Sequence, residues 1–287
     1  MKHAYLILAH HEFELLQILL STLDDSRNDI YVHFDKKLLQ IPTLHVEHAK
    51  LILVQERVDV SWGDVSVVEA EYALFEAAHS HGDYTYYHLL SGVDLPLQRQ
   101  DDIHHFFNLH HGKEFIGYSQ YDTKAEIDRK VNRYHLFPKD FRYTGTAISM
   151  AKKVIRALFL RLQYLSGWRR NTNIDFKKGT QWVSISQDFV TYILTKKTEV
   201  LPLYQHTFCS DEIFIQTLCW NSNFRTQIFN MEDEAIGSQR DICWRDGVLY
   251  DWKDTDMDRI QQSRLLFARK FNSNNKQIVY FLKQKNS

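Results

Sequence analysis

Residues 4–9, with the sequence AYLILA, and residues 30–34, with the sequence IYVHF, decide the fold class of this chain. Short, uninterrupted apolar runs of this kind are typical of strands that are buried on both faces. Between them, leucines recur at helical spacing over residues 12–23, and a third apolar run, LILV, follows at 51–54. This alternation of strand, helix and strand predicts a parallel α/β sheet with right-handed crossovers.

Periodicity along the rest of the chain predicts the other elements. Helices are expected over 65–80, 101–109, 149–165, 187–196 and 256–264, another helix from Ser210, and strands over 84–90, 114–118 and 182–185. The segment 121–178 is rich in Lys and Arg and is predicted to be a connecting or lid region. Together these elements predict one α/β domain over 1–287, with a mixed, mostly parallel central sheet flanked by helices.

The composition excludes several classes of protein. Lys plus Arg total 35 and Asp plus Glu total 36, and this balance argues against a bulk electrostatic nucleic-acid binder. Three cysteines without a C-x-x-C pair favour a reducing compartment over a disulfide framework or a thiolate zinc site. No apolar run reaches the about 18 residues of a membrane span, and the run at 4–9 is too short for a signal peptide, so we expect a cytoplasmic protein.

Ligands of open α/β sheets bind beyond the carboxyl ends of the strands. That rule selects His10 and His11 after the first strand, Asp35 after the second, and Asp94 after the run at 84–90. An Asp at such a place can accept hydrogen bonds from the ribose or base of a nucleotide, although both acids can equally be turn residues. The sequence contains no G-x-G-x-x-G or P-loop motif, so a bound nucleotide is held in another way.

No metal ion or other cofactor is predicted. The loop after 84–90 has a single acid, Asp94, where an Asp-x-Asp pair would hold a divalent cation. The two formal Asp-x-Asp matches, at 254–256 and 256–258, lie at a helix start, where acids favour the helix dipole. Four histidines lack the carboxylate or Cys that would complete a zinc site, and we interpret them as surface residues: His104, His105, His110 and His111.

If the bound ligand is a sugar nucleotide and no metal ion is present, positively charged side chains are needed to stabilise the diphosphate as it leaves. Arg264, Arg269 and Lys270 are the candidates, with a solvated basic face as the alternative interpretation.

Residues 208–214, with the sequence FCSDEIF, are the most suggestive of catalysis. Ser210 is predicted to cap a helix whose first turn holds Asp211 and Glu212, and the helix dipole would keep a carboxylate ionised there. An ionised Glu that faces a cleft can take a proton from an attacking hydroxyl. The alternative is that acids simply begin helices well.

Eight segments, in this order, resemble the core-2/I-branching β-1,6-N-acetylglucosaminyltransferase family in its short bacterial form. They are AYLILAHHE (4–12), IYVHFDKK (30–37), SWGDVSVVEAEYALFEAA (61–78), HLLSGVDLPL (88–97), KGTQWVSIS (178–186), CSDEIFIQTL (209–218), RDICW (240–244) and LFARKF (266–271). The resemblance implies a GT-A-like fold and an inverting, metal-independent transfer from a UDP-sugar, commonly UDP-GlcNAc. It also implies a nucleotide-sugar-binding half at 1–120 and an acceptor-binding and catalytic half at 179–287.

The resemblance assigns roles to individual residues. Glu212 falls on the position of the catalytic base, Lys270 on a diphosphate-binding cation, Asp35 on a nucleotide-contacting acid and Trp244 on an acceptor-site aromatic. Arg133 matches an acceptor-site Arg loosely.

The sequence departs from the family pattern at the second diphosphate-binding Arg. Residues 246–251 have no Arg at the matching place, so Arg245, Lys253 and Arg264 are candidate replacements. Trp182 and Arg245 complete the predicted acceptor site.

The predicted reaction is a single displacement on a glycan or lipid-linked glycan acceptor, in bacterial surface polysaccharide synthesis. A glycoside hydrolase is one alternative, with Glu212 and either Asp94 or Asp211 as its paired carboxylates. A non-catalytic carbohydrate-binding protein is the other, and it would explain the many aromatic residues.

The basic segment also suggests a peripheral membrane contact through residues 149–170. Lys and Arg interleave there with Leu, Phe and Trp, a pattern typical of a helix that lies on an anionic membrane surface. The alternative is a helix that packs through its apolar side and leaves its basic side in solvent.

Overall fold

A central sheet organises the protein in the computed structural model, which describes residues 1–142 and 144–286. The strands are β1 (His3–Ala9), β2 (Asn28–Phe34), β3 (Lys50–Leu53), β4 (Tyr86–Ser91), β5 (Leu95–Pro96), β6 (Ser184–Ser186), β7 (Arg240–Ile242), β8 (Trp244–Arg245), β9 (Val248–Leu249) and β10 (Phe267–Arg269). The α-helices are α1 (Phe13–Thr22), α2 (Ser66–His81), α3 (Gln100–Leu109), α4 (Lys124–Lys130), α5 (Ala147–Leu165), α6 (Gln187–Thr195), α7 (Lys197–Tyr204), α8 (Phe214–Trp220), α9 (Glu234–Ser238), α10 (Met257–Gln262) and α11 (Lys276–Asn286).

The strand order of the central sheet is β3-β2-β1-β4-β6. The first four strands are parallel, and β6 pairs with β4 in the antiparallel direction. The predicted mixed, mostly parallel α/β sheet, with helices on both faces, is therefore confirmed. It is the arrangement of a GT-A-like fold.

Strand alternation sends neighbouring side chains to opposite faces of this sheet. From β1, Leu6 packs with α2, α6 and α8 on one face, whereas Tyr5 and Ile7 pack with α1, α3 and α11 on the other. Both faces are buried, which explains why β1 is apolar at consecutive positions.

A smaller sheet, in the order β5-β10-β7, brings the end of the chain to the central sheet. β10 is parallel to β7 and antiparallel to β5. Just beyond β10, the amide of Phe271 donates a hydrogen bond to the carbonyl of Val93 in the loop after β4 (2.9 Å). The residues that end β10 therefore lie against that loop.

The predicted strand over 114–118 is wrong. Only isolated bridges form among the described residues of this segment, from Glu114 to Ile228 and from Phe115 to Ser184. At Gly117 the backbone is crowded: a Cβ there would lie 2.7 Å from the carbonyl oxygen of Glu234. This close approach of another chain segment replaces a continued strand ladder.

The predicted helix of the basic segment is confirmed as α5. Its first turn is capped by Thr146, whose hydroxyl accepts a hydrogen bond from the amide of Ser149 (3.1 Å). In the part of the chain that the structure describes, α5 and the other helices include none that is long and apolar enough to cross a membrane.

Candidate functional site

The carboxyl ends of β1, β2 and β4 meet at one edge of the central sheet because these strands are parallel and adjacent. His10 and His11 follow β1, Asp35 follows β2, and Asp94 lies in the loop after β4. The amide of Asp35 donates to the carbonyl of Ala9 at the end of β1 (3.1 Å), which joins the first two of these places. The residues selected from strand ends therefore share one edge of the sheet.

The two histidines at this edge contact each other with tilted rings, whose centroids are 4.1 Å apart. Burial lowers the pKa of His10, and the positive charges of His11 and Arg142 lower it further, while Asp35 opposes the fall. His10 is therefore suited to hydrogen bonding as a neutral ring.

The carboxylate of Asp35 is held by the turn that follows β2. It accepts a hydrogen bond from the amide of Lys37 (2.9 Å), and Lys37 Nζ lies 3.0 Å from the other oxygen. The same ammonium contacts Asp59 (2.8 Å). These are the contacts of a turn residue, which is the alternative interpretation of Asp35 drawn from the sequence. Its role in binding a nucleotide stays a prediction.

Asp94 forms the buried centre of a second group. Its carboxylate accepts hydrogen bonds from the amide (2.9 Å) and hydroxyl (2.6 Å) of Ser91. Arg269 Nε lies 3.3 Å from Asp94 Oδ1, and the guanidinium stacks 4.0 Å above the ring of Trp182. Burial lowers the pKa of Arg269, and both Asp94 and Asp211 oppose that fall. Trp182 therefore supports a cation rather than presenting an exposed ring.

Lys270 lies directly after β10 and is about one third exposed, with Nζ 3.6 Å from Asp251. Its carbonyl accepts a hydrogen bond from the amide of Trp252 (2.9 Å), which fixes the chain at this point. Arg269, the last residue of β10, contacts Asp94. Lys270 follows it directly and therefore places a second positive charge at the same end of β10.

Glu212 is held by cations from the basic segment. Its Oε2 lies 2.7 Å from Lys130 Nζ and 3.6 Å from Lys178 Nζ, and about 30% of its side chain remains exposed. Lys130 is almost entirely buried and also contacts Glu126 (2.8 Å). The predicted base is thus a partly exposed carboxylate with a fixed counter-charge.

The predicted cap at Ser210 is wrong. Ser210–Glu212 form a separate 3-10 turn, and α8 begins only at Phe214. The hydroxyl of Ser210 is buried, and the described residues offer it no hydrogen-bond partner. Lysine side chains, rather than the dipole of α8, are therefore the positive groups next to Glu212.

Asp211 connects this turn to the Asp94–Arg269 pair. Burial and, to a smaller extent, the charge of Glu212 raise the pKa of Asp211 to about 7, while Lys130 and Arg269 act against the rise. Its Oδ1 is buried without a hydrogen-bond partner among the described residues. The predicted dipole-stabilised carboxylate is therefore contradicted for Asp211, because burial outweighs the nearby positive charges.

The loop before α2 positions the 208–212 segment. Gly63 has φ +79°, and its carbonyl accepts a hydrogen bond from the amide of Cys209 (2.8 Å). A Cβ at Gly63 would lie 2.7 Å from the ring of Phe208. Glycine is therefore required both for the backbone conformation and for the close contact.

Four other predicted residues lie in different surroundings. Arg133 is buried, with Asp128 2.9 Å away and the carbonyl of Gln163 accepting at 2.8 Å, so its contacts favour a structural role. Arg245 stacks on Tyr250 and pairs with Asp256 (2.9 Å).

The remaining two are exposed. Trp244 presents an exposed ring on the β8–β9 hairpin, which follows β7. Arg264 precedes β10 and therefore lies beyond the opposite end of that strand from Lys270. That position argues against Arg264 as the second diphosphate-binding cation.

The predicted surface position of His104 is also wrong. His104 is buried, stacks on His3 (4.0 Å) and hydrogen-bonds Asn28 (2.9 Å). Among residues 1–142 and 144–286, no three His, Cys, Asp or Glu residues are grouped to hold a metal ion.

Sequence reasoning missed Lys130, Lys178 and Glu126 as neighbours of the predicted base. The i,i+4 spacing of Glu126 and Lys130 was a visible signal of an ion pair on a helix. Their relation to Glu212 was not visible, because Lys130 and Glu212 are 82 positions apart.

A family model described as Core-2/I-branching enzyme matches residues 3–262. The chain belongs to the Core-2/I-branching enzyme family. This membership makes the protein a glycosyltransferase and confirms the resemblance to the family; of the eight segments, only LFARKF (266–271) lies beyond the matched range. It favours sugar transfer over the hydrolase and the non-catalytic binding protein. A comparison with curated proteins gives no match.

The range of the match divides the predicted site residues of this Core-2/I-branching enzyme. Glu212, Asp35 and Asp94 lie inside it, whereas Arg269 and Lys270 follow its end at residue 262. The assignment of Arg269 and Lys270 as diphosphate-binding cations therefore depends on the packing of β10 against the loop after β4.

Proposed function

We propose that this Core-2/I-branching enzyme is an inverting, metal-independent transferase that moves N-acetylglucosamine from UDP-GlcNAc to a hydroxyl of an acceptor glycan in bacterial surface polysaccharide synthesis. The observation that carries the proposal is the position of Glu212. Its carboxylate is partly exposed and held by Lys130. The carbonyl of Glu212 accepts a hydrogen bond from the amide of Gly179 (2.9 Å), and Trp182, three residues further along, supports the guanidinium of Arg269 (4.0 Å). The predicted base and a cation are thereby connected through one short segment.

The reaction is a single displacement. The acceptor hydroxyl gives its proton to Glu212 while its oxygen attacks the anomeric carbon. The bond from that carbon to the UDP oxygen breaks on the opposite face, so the configuration inverts and UDP departs with the electron pair. Lys270 and Arg269 offset the negative charge that develops on the diphosphate.

Binding roles follow from the same edge of the sheet. Asp35 and the His10–His11 pair hold the nucleotide beyond β1 and β2. The exposed ring of Trp244 on the β8–β9 hairpin stacks against the acceptor sugar.

The replacement Glu212→Gln tests the base. It should lower turnover at least about 100-fold, because the amide cannot accept the hydroxyl proton, while UDP affinity stays nearly unchanged. The measurement is UDP release from purified protein with UDP-GlcNAc and a set of acceptor glycans, together with calorimetric UDP binding.

Glu126→Gln is the matched control, since Glu126 contacts the same lysine (2.8 Å). It should keep turnover within a few-fold. Normal turnover in Glu212→Gln would reject the base assignment.

The same assay in EDTA should retain activity and give a product of opposite anomeric configuration, and a complete loss restored by Mn²⁺ would reject the metal-free scheme.

A further inference from the structure

Helix α5 packs against the protein through polar side chains. Arg156 and Gln163 are its buried residues. Arg156 donates to the carbonyl of Asp140 (3.0 Å), and Gln163 exchanges two hydrogen bonds with the backbone of Tyr134 (both 2.8 Å). The alternative drawn from the sequence is therefore confirmed in part: α5 packs on the protein and exposes Lys153 and Arg161, but a basic residue, Arg156, faces inward.

Most of the large apolar side chains of α5 face outward, whereas Phe159 and Leu160 are partly buried. Five large ones, spaced along one stripe of the helix, are 46% to 70% exposed: Ile148, Ile155, Leu158, Leu162 and Leu165. Their spacing places them on a single face of the helix. Trp168, just beyond the helix, is also exposed. A continuous apolar stripe of this kind marks a surface that meets another body.

The segment that carries this stripe has charges of one sign. Residues 141–174 contain no Asp or Glu. They contain seven basic residues: Arg142, Lys152, Lys153, Arg156, Arg161, Arg169 and Arg170. Of these, Arg142, Lys153, Arg161 and Arg169 are exposed. Asp140 and Asp128, which lie outside this segment, pair with Lys152 and Arg169 (2.8 and 2.7 Å) and offset part of its charge. A second copy of the chain would still bring the remaining like charges together across the stripe.

We infer that the outward face of α5 lies on an anionic lipid surface. The apolar stripe enters the boundary between headgroups and acyl chains, and the flanking cations contact phosphate groups. The segment leading into α5 also reaches the residues that precede the Glu212 turn, since the rings of Phe141 and Phe208 lie 4.5 Å apart. Docking would therefore bring this turn near a lipid-linked acceptor, a consequence that rests on the proposed function.

Vesicle flotation tests the inference without any measurement of activity. The full-length protein should float with vesicles of phosphatidylcholine and phosphatidylglycerol in equal amounts, and bind pure phosphatidylcholine vesicles much more weakly. The double replacement Leu158→Ser, Leu162→Ser should lower binding to the anionic vesicles by about tenfold or more, because two apolar side chains no longer enter the lipid. Arg161→Gln should lower it by a smaller factor, and high salt should lower it in the wild type.

Leu109→Ser is the matched control, since Leu109 is an exposed leucine at the end of α3. It should bind vesicles like the wild type. Circular dichroism should show an unchanged fold for all variants, since every replaced side chain is exposed. Absence of flotation with anionic vesicles, or equal flotation of the wild type and the double variant, would overturn the inference. So would concentration-dependent dimerisation that the double variant abolishes without any vesicle binding.

Discussion

Asp211 is an acid whose ionisation the folded protein opposes. Its pKa rises from an ordinary 3.8 to about 7, chiefly through burial. Between these two values the folded protein holds a proton that the unfolded chain releases, so its contribution to stability falls as the pH rises through this window. Asp211→Asn removes the ionisation, and should stabilise the protein relative to the wild type at pH ~8 by on the order of 2–4 kcal/mol.

The measurement is the free energy of unfolding in urea at pH ~5 and pH ~8. The variant should show a smaller decline with pH than the wild type. Exposed Asp59, whose pKa the nearby Lys37 lowers, provides the control Asp59→Asn, which should keep the wild-type decline. Equal declines in Asp211→Asn and the wild type would contradict a raised pKa at Asp211.

Individual residues also show how far the sequence could lead. Glu212, Asp35 and Asp94 were selected by motif and strand ends, because those signals are local. The contact of Glu212 with Lys130 was not predictable, since it joins positions 82 apart through the folded chain. The burial of Asp211, which reverses the effect expected from a helix dipole, likewise depends on tertiary packing.

Among the structural elements, the loop before α2 controls the position of the 208–212 segment. Gly63→Ala should destabilise the protein by about 2–4 kcal/mol, because a Cβ adds backbone strain and contacts the ring of Phe208. Turnover should also fall about tenfold, since the turn that carries Glu212 shifts. Urea unfolding and UDP release measure the two effects.

The replacement Gly112→Ala distinguishes the effect of backbone strain from the effect of the steric contact with Phe208. Gly112 has nearly the same φ, +80°, but no described atom lies within 4 Å of a Cβ built there. This variant should lose only the strain energy of about 1–2 kcal/mol and keep its turnover. Equal losses of stability in the two variants would show that the contact with Phe208 is unimportant.

Element types were more predictable than their packing. Helix α5 was expected from its periodicity, and it forms over Ala147–Leu165. Periodicity does not say which face of a helix is covered, and here Arg156 is buried while Leu158 is exposed. At Gly117 the strand expected from periodicity does not form, because the crowding by Glu234 comes from a distant part of the chain.

In the whole molecule, the candidate site combines residues that follow β1, β2 and β4 with residues at the end of β10. The alternation of β1, α1 and β2 made the parallel sheet predictable, because each element has its own short-range pattern. The pairing of β10 with β5 and β7 had no such signal in a three-residue strand. That pairing nevertheless brings Arg269, which lies beyond the range of the family match, into contact with Asp94.

Binding of UDP should stabilise the whole molecule through this C-terminal contact. A ligand at about 100 times its Kd adds about 2.7 kcal/mol to stability, which corresponds to a rise in Tm of roughly 5–10 °C. Lys270→Ala should reduce the rise by about half at the same UDP concentration, because removing one diphosphate contact weakens binding about tenfold. Arg264→Ala, at the opposite end of β10, should keep the full rise. Calorimetric scans with and without UDP make the comparison, and equal rises in both variants would contradict the assignment of Lys270 to the diphosphate.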